Sequence, residues 1–74
     1  MSELVMWTIY DHPRDFPNCF VARKQRIRGN GIEHTAEVVQ SDSLGKLRAR
    51  FRRMGLVAIA RHPNDDPVVV ECWI

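Results

Sequence analysis

Cysteine is scarce in this chain, and long apolar runs are missing. Cys19 and Cys72 are the two thiols among 74 residues. They can make one bridge at most, and their spacing fits neither a zinc pattern nor a redox CxxC pair. Both sit in apolar, strand-like runs, which points to buried reduced thiols. No apolar run approaches the roughly 20 residues of a membrane helix. The Met1 end lacks the basic and then apolar regions of an export signal. A cytoplasmic chain with no membrane partner is expected. Enzyme signatures are also missing: there is no G-x-S-x-G, no glycine-rich phosphate loop and no Cys-His pair in a suggestive setting. These absences point away from catalysis and from cofactors. No linker or low-complexity segment interrupts residues 1–74, which read as one small domain with a thin core.

What is present begins with a repeat. His12-Pro13-Arg14-Asp15-Phe16-Pro17 and His62-Pro63-Asn64-Asp65-Asp66-Pro67 share the pattern His-Pro-x-Asp-x-Pro, 50 residues apart. Each follows one apolar run and precedes another, so each reads as a connection between strands, with one loop geometry used twice. Asp in such a loop caps neighbouring N–H groups, Pro fixes φ, and His can bond a carbonyl. His12, His62, Asp15, Asp65 and Asp66 are therefore expected to form a structured loop edge. His and carboxylate are also reasonable zinc or manganese ligands, but a duplicated loop shape needs no ion, and no metal site is assigned.

Leu4 to Tyr10 is rich in β-branched and aromatic residues and reads as a strand. Cys19 to Arg28 and Ile32 to Gln40 flank Asn30-Gly31, a hairpin signal. With those two as the loop, Arg28 faces Glu33, Arg26 faces Thr35, Lys24 faces Glu37 and Ala22 faces Val39. Arg26 is then left without an acidic partner. The other face carries Cys19, Val21 and Ile27 beside Ile32, Ala36 and Val38, and His34 falls opposite Ile27 as a partly buried histidine. Ser41-Asp42-Ser43 offers helix N-caps, and Gly55 is a natural C′ residue. Between them Leu44, Leu47, Phe51 and Met54 form one apolar stripe at helical spacing. Leu56 to Arg61 and Val68 to Ile74 read as the last two strands.

The expected fold is α+β: a five-stranded, mainly antiparallel sheet in the order β-β-β-α-β-β, with one helix packed on one face. If each connection reverses the chain, both His-Pro loops and the helix N-terminus emerge at one edge. Asp11, Asp15, Asp42, Asp65 and Asp66 gather there. Arg26, Arg28, Arg50, Arg52 and Arg53 gather at the opposite end.

All eleven basic residues lie between Arg14 and Arg61, and no acid lies between Leu44 and Met54. Lys46, Arg48, Arg50, Arg52 and Arg53 therefore make a basic helix. Its like-charge i, i+4 pairs cost roughly 0.2–0.5 kcal/mol each in isolation, which an anionic partner would relieve. Lys24, Arg26 and Arg28 add a second basic set on the second strand. Arg48 and Arg52 are expected to be free for binding, so that reversing their charge spares the fold. Trp7 and Trp73 lie on terminal strands, where packing is the default, and Trp73 is also a candidate interface anchor. No aromatic pair of the RNP kind accompanies the basic residues, so single-strand stacking is unsupported.

The stretch Trp7-Thr8-Ile9-Tyr10-Asp11-His12-Pro13, with Asp15 and Pro17, resembles the start of a family of small bacterial proteins with no known activity. Gly55-Leu56, Arg61, Pro63, Asp65-Asp66-Pro67, Val70-Glu71 and Trp73 resemble its end, and His62 departs from the pattern. The resemblance implies a small α+β domain and carries no functional residues. Short, basic chains without sites of chemistry are typical of phages and other mobile elements. Such chains often occupy a surface on a host complex, as anti-CRISPR proteins do. The expected function is therefore a non-catalytic binding protein. Its partner is a host protein or nucleoprotein complex with an acidic or nucleic-acid-binding surface. Direct binding of DNA or RNA through the same basic face is the alternative, and the chain is expected as a monomer or homodimer.

Overall fold

The computed structural model describes residues 3–74; the reading of the Met1 end as free of an export signal concerns residues that begin outside that range. The elements are β1 (Leu4–Asp11), β2 (Phe20–Arg28), β3 (Gly31–Ser41), α1 (Leu44–Arg53), β4 (Ala58–Ala60) and β5 (Val69–Trp73). They form one antiparallel sheet, ordered β3-β2-β1-β5-β4, with α1 on one face. This is the expected α+β architecture.

β1 is central, and its Val5, Trp7 and Ile9 supply large apolar side chains on one face. Trp7 and Ile9 meet Ala22 of β2 and Trp73 of β5 on the helix side. Leu47 and Phe51 close this core from above, Phe51 lying 5.4 Å from the Trp7 ring and 5.8 Å from the Trp73 ring. Leu44 is partly buried at the stripe's start, whereas Met54 is half exposed and leaves the stripe. Met54 is the C-cap, the last residue before the Gly55 turn.

Both helix ends follow their sequence signals. Ser43 holds an extended backbone, and its hydroxyl accepts from the Lys46 N–H at 3.4 Å. At the other end Leu56 N–H donates to Phe51 O and Gly55 N–H to Arg52 O, both at 3.0 Å. These two bonds make a Schellman closure around Gly55, whose φ is +81°. A Cβ at Gly55 would meet nothing nearby, so the backbone angle alone sets the cost of a side chain. Gly55→Ala is expected to destabilise the fold by about 1 kcal/mol, seen as a melting temperature lower by roughly 4–8 °C.

The β2–β3 hairpin departs from expectation. The loop residues are Gly29 and Asn30, with Arg28 opposite Gly31, Ile27 opposite Ile32, Arg26 opposite Glu33 and Gln25 opposite His34. Gly29 takes the positive φ (+31°), so the glycine occupies the first loop position. An irregularity between Arg23 and Gln25 then restores the expected pairing, and Ala22 faces Val39. The slip is two residues in pairing, so it leaves every side chain on its expected face. It moves His34, which is exposed and bonds Gln25 rather than sitting beside Ile27.

Both His-Pro loops emerge at the same sheet edge, joined where the Asp11 N–H donates to Val68 O at 2.7 Å. They do not share one geometry. In the second, the Asp65 carboxylate accepts from the His62 N–H at 2.9 Å, and Asp66 accepts from the Val68 N–H at 3.0 Å. In the first, His12 has φ +48° and bonds Asp11, and Asp15 pairs with Arg23 instead of capping its own loop. An arginine in β2 captures the carboxylate of the first aspartate, whereas Arg61 donates to the backbone carbonyl of Asp65 at 3.2 Å and leaves that carboxylate to cap the loop.

Candidate functional site

Helix α1 carries five basic residues, and its position divides them into two ridges flanking the buried stripe. Arg48 and Arg52 face β5. Lys46, Arg50 and Arg53, spaced i, i+4, i+7, border the groove toward β3.

The β5 ridge is occupied. The Arg48 guanidinium reaches Glu71 through Nε at 3.1 Å and Nη2 at 2.8 Å, a two-point ion pair. The Trp73 indole N–H donates to the same carboxylate at 2.7 Å. The Arg48 hydrogen bond holds the Glu71 carboxyl below the usual carboxylate range, against the opposing effect of burial; the indole N–H assists. The bond to Glu71 likewise raises Arg48. Arg52 lies over the Trp73 ring, 5.8 Å from its centroid. Arg48 is thus a clamp between helix and sheet, contrary to its expected freedom, and reversing its charge would set two carboxylates face to face. Trp73 is 2% exposed, so it anchors the core and offers nothing to an interface.

The strand residues are largely paired too. Arg26 bonds Glu3 at 3.2 Å, Arg28 approaches Glu3 and Glu33 at 3.7 Å each, and Lys24 meets Glu37 at 3.4 Å. Arg26 was the residue expected to lack a partner. Glu3, just before β1, supplies one, and the sequence alone did not place Glu3 beside the second strand. Lys46 pairs with Asp42 at 3.2 Å, both well exposed, which is a weak interaction. Among the described residues, Arg50, Arg52 and Arg53 on the helix have no carboxylate in ion-pair contact.

Arg50 stands between two open grooves along the helix–β3 boundary. The larger, about 760 Å³, has an apolar floor that includes Val5, Val39 and Leu56 and is bordered by the Lys24–Glu37 pair. The smaller, about 280 Å³, is flanked by Lys46, Arg50 and Arg53. The chemistry on offer is cationic donors beside an apolar strip. At the loop edge, His12, Asp15, His62, Asp65 and Asp66 do not converge, and no group of three metal-ligating side chains is found among the described residues. Cys19 and Cys72 are free and half buried. No helix among the described residues is long and apolar enough to cross a membrane. No family model, curated protein or solved structure matches the chain.

Proposed function

We propose that this chain is a non-catalytic binding protein that occupies an acidic or nucleic-acid-binding surface of a host protein or nucleoprotein complex. The observation that carries this reading is the Lys46/Arg50/Arg53 ridge beside the groove: Arg50 and Arg53 lack internal counter-ions among the described residues, while most basic residues elsewhere are paired. Like charges at i and i+4 are tolerated here at some cost, and an anionic partner would relieve it. The apolar strip in the groove favours a protein partner, since a nucleic-acid backbone alone gives such a strip nothing to cover. Small size and the absence of known reaction motifs fit an inhibitor encoded by a phage or mobile element, of the anti-CRISPR kind.

The test is a pull-down from host lysate with the chain and its Arg50→Gln/Arg53→Gln variant immobilised side by side, with and without nuclease. One stoichiometric protein complex should survive nuclease, bind the parent chain and be lost from the variant. The variant should unfold within about 0.5 kcal/mol of the parent, as surface substitutions do. Equal capture by both would sink the reading. Capture that nuclease removes, with affinity falling steeply in salt, would replace it with direct nucleic-acid binding.

A further inference from the structure

The face of the sheet opposite α1 has a different character from the rest of the surface. The registers place Leu4, Met6, Thr8 and Tyr10 of β1 there, with Val21, Arg23, Gln25 and Ile27 of β2. Ile32 and His34 of β3, Cys72 of β5 and Ile59 of β4 share it. Among these paired positions Arg23 is the one Lys, Arg, Asp or Glu. It is neutralised by Asp15 of the first His-Pro loop, whose Phe16 also lies against its guanidinium. That loop therefore covers the upper part of the face, where Val21 is fully buried. Below the loop, Thr8 and Gln25 are nearly buried among their neighbours, and the large apolar side chains around them are open.

These open side chains make an apolar band crossing all five strands. Ile32, Ile27 and Leu4 stand opposite one another on β3, β2 and β1. Ile74, hydrogen-bonded to Val57 in both directions, continues the band to Ile59 of β4. Leu4 is 47% exposed, Ile32 55%, Val57 65% and Ile59 44%. At ~4.8 Å per strand and ~3.4 Å per residue, a patch five strands wide and about five residues deep projects roughly 400 Å², shared between the apolar band and the polar Thr8, Gln25 and His34. As a whole it lies within the size range of the largest apolar patches on monomers, which are often functional.

We infer that this band is the contact surface of a homodimer, two copies packing their open sheet faces together with the helices outward. An uncharged, largely apolar surface can meet its own copy without charge repulsion, which a two-fold contact requires. The polar side chains at its centre are already engaged. Thr8 Oγ1 already bonds Gln25 at 2.8 Å, Gln25 approaches His34 at 3.4 Å, and Thr8 meets Cys72 at 3.7 Å. Face-to-face sheets pack in this way in sandwiches. The repulsive charges lie on the far side, so the net charge of +2 does not oppose the contact. A lipid surface fits less well, because the basic residues that would meet anionic headgroups sit on the helix side. The area belongs to the small end of protein interfaces, below about 1,200 Å² in total, so the dimer is a weak one with a Kd in the micromolar range. It leaves the Lys46/Arg50/Arg53 ridge outward and stands independently of the function proposed for it.

Sedimentation equilibrium of the whole chain from about 1 to 300 μM, a range spanning the micromolar affinities of small interfaces, tests this. The parent chain should pass from monomer to dimer within it. Ile32→Glu and Val57→Glu, both at exposed positions, should raise the midpoint at least about tenfold while leaving the melting temperature of the monomer unchanged. Ala58→Pro should have no such effect, because the Val57–Ile74 pairing turns the Ala58 N–H away from β5 and its proline would block only edge pairing. A chain that stays monomeric throughout overturns the inference. So does association abolished by Ala58→Pro but untouched by Ile32→Glu, which would assign the contact to the β4 edge. A monomer that partitions onto phosphatidylcholine vesicles would overturn it in favour of a lipid surface.

Discussion

Arg48→Met should lower the stability of the domain by about 2–3 kcal/mol, which for a domain of this size moves the melting temperature down roughly 10–20 °C. Methionine keeps the aliphatic stem and removes the fork. Glu71 would then be left almost buried with the Trp73 indole N–H as its remaining side-chain donor. Removing one partner of a fully buried pair typically costs about 3–5 kcal/mol; Arg48 is 39% exposed, so solvent reclaims part of that. Arg50→Met, on the same helix but without an ionic partner among the described residues, should cost less than about 0.5 kcal/mol. The double variant Arg48→Met/Glu71→Gln should recover much of the loss, because the amide oxygen can still accept from Trp73 and no unpaired charge remains. Urea unfolding of the four proteins at about pH 7 checks the series, and equal destabilisation by Arg48→Met and Arg50→Met would refute the clamp.

The same clamp sets the sign of a pH effect. Glu71 titrates below its ordinary value in the folded chain, chiefly because of the Arg48 hydrogen bond. A depressed carboxylate contributes stability that is fully present above the unfolded value of about 4.3 and disappears as pH falls through the folded value. The gap between the parent and Arg48→Met should therefore be widest near neutrality and should narrow on acidification through the carboxylate range. In the variant, acid neutralises a stranded charge; in the parent, it breaks a pair.

Element order and edge placement were legible from local signals. Strand runs, the Ser43 cap and Gly55 fix where the chain turns, and alternating direction then puts both His-Pro loops on one edge. The hairpin register was not legible, for a definite reason. Gly29-Asn30-Gly31 contains two possible two-residue loops, and they differ by two in pairing. That difference preserves which face each side chain occupies, so burial pattern cannot choose between them. The roles of the helix arginines were also beyond the sequence. Arg48 and Arg50 look alike in a basic run. What separates them is the proximity of α1 to Glu71, a residue 23 positions beyond Arg48, and that follows from how the helix lies across the sheet. The repeated His-Pro pattern misled for a related reason: Asp15 has Arg23 within reach, so the same six-residue motif closes differently in its two settings.

Phe51→Ala should cost about 3–5 kcal/mol, more than the loss of the Arg48 fork. The ring is fully buried between the indoles of Trp7 and Trp73 and is the main hydrophobic tie between helix and sheet, with Leu47 one turn earlier. A domain of 74 residues holds only about 4–11 kcal/mol in total at the usual stability per residue. The variant should therefore lose its cooperative thermal transition or show it far below the parent's. Its near-ultraviolet circular dichroism should collapse, since both tryptophans lose their fixed neighbour. Phe51→Leu keeps most of the volume and should retain a cooperative transition at reduced temperature. A sharp transition for Phe51→Ala near that of the parent would mean that α1 is held by the Arg48–Glu71 clamp rather than by its apolar stripe. The comparison also bears on binding. Phe51→Ala should abolish capture by unseating the helix that presents Lys46, Arg50 and Arg53, whereas Arg50→Gln/Arg53→Gln should abolish it in a chain that still melts cooperatively. The two losses come from different links, packing in one and charge in the other, and melting curves tell them apart.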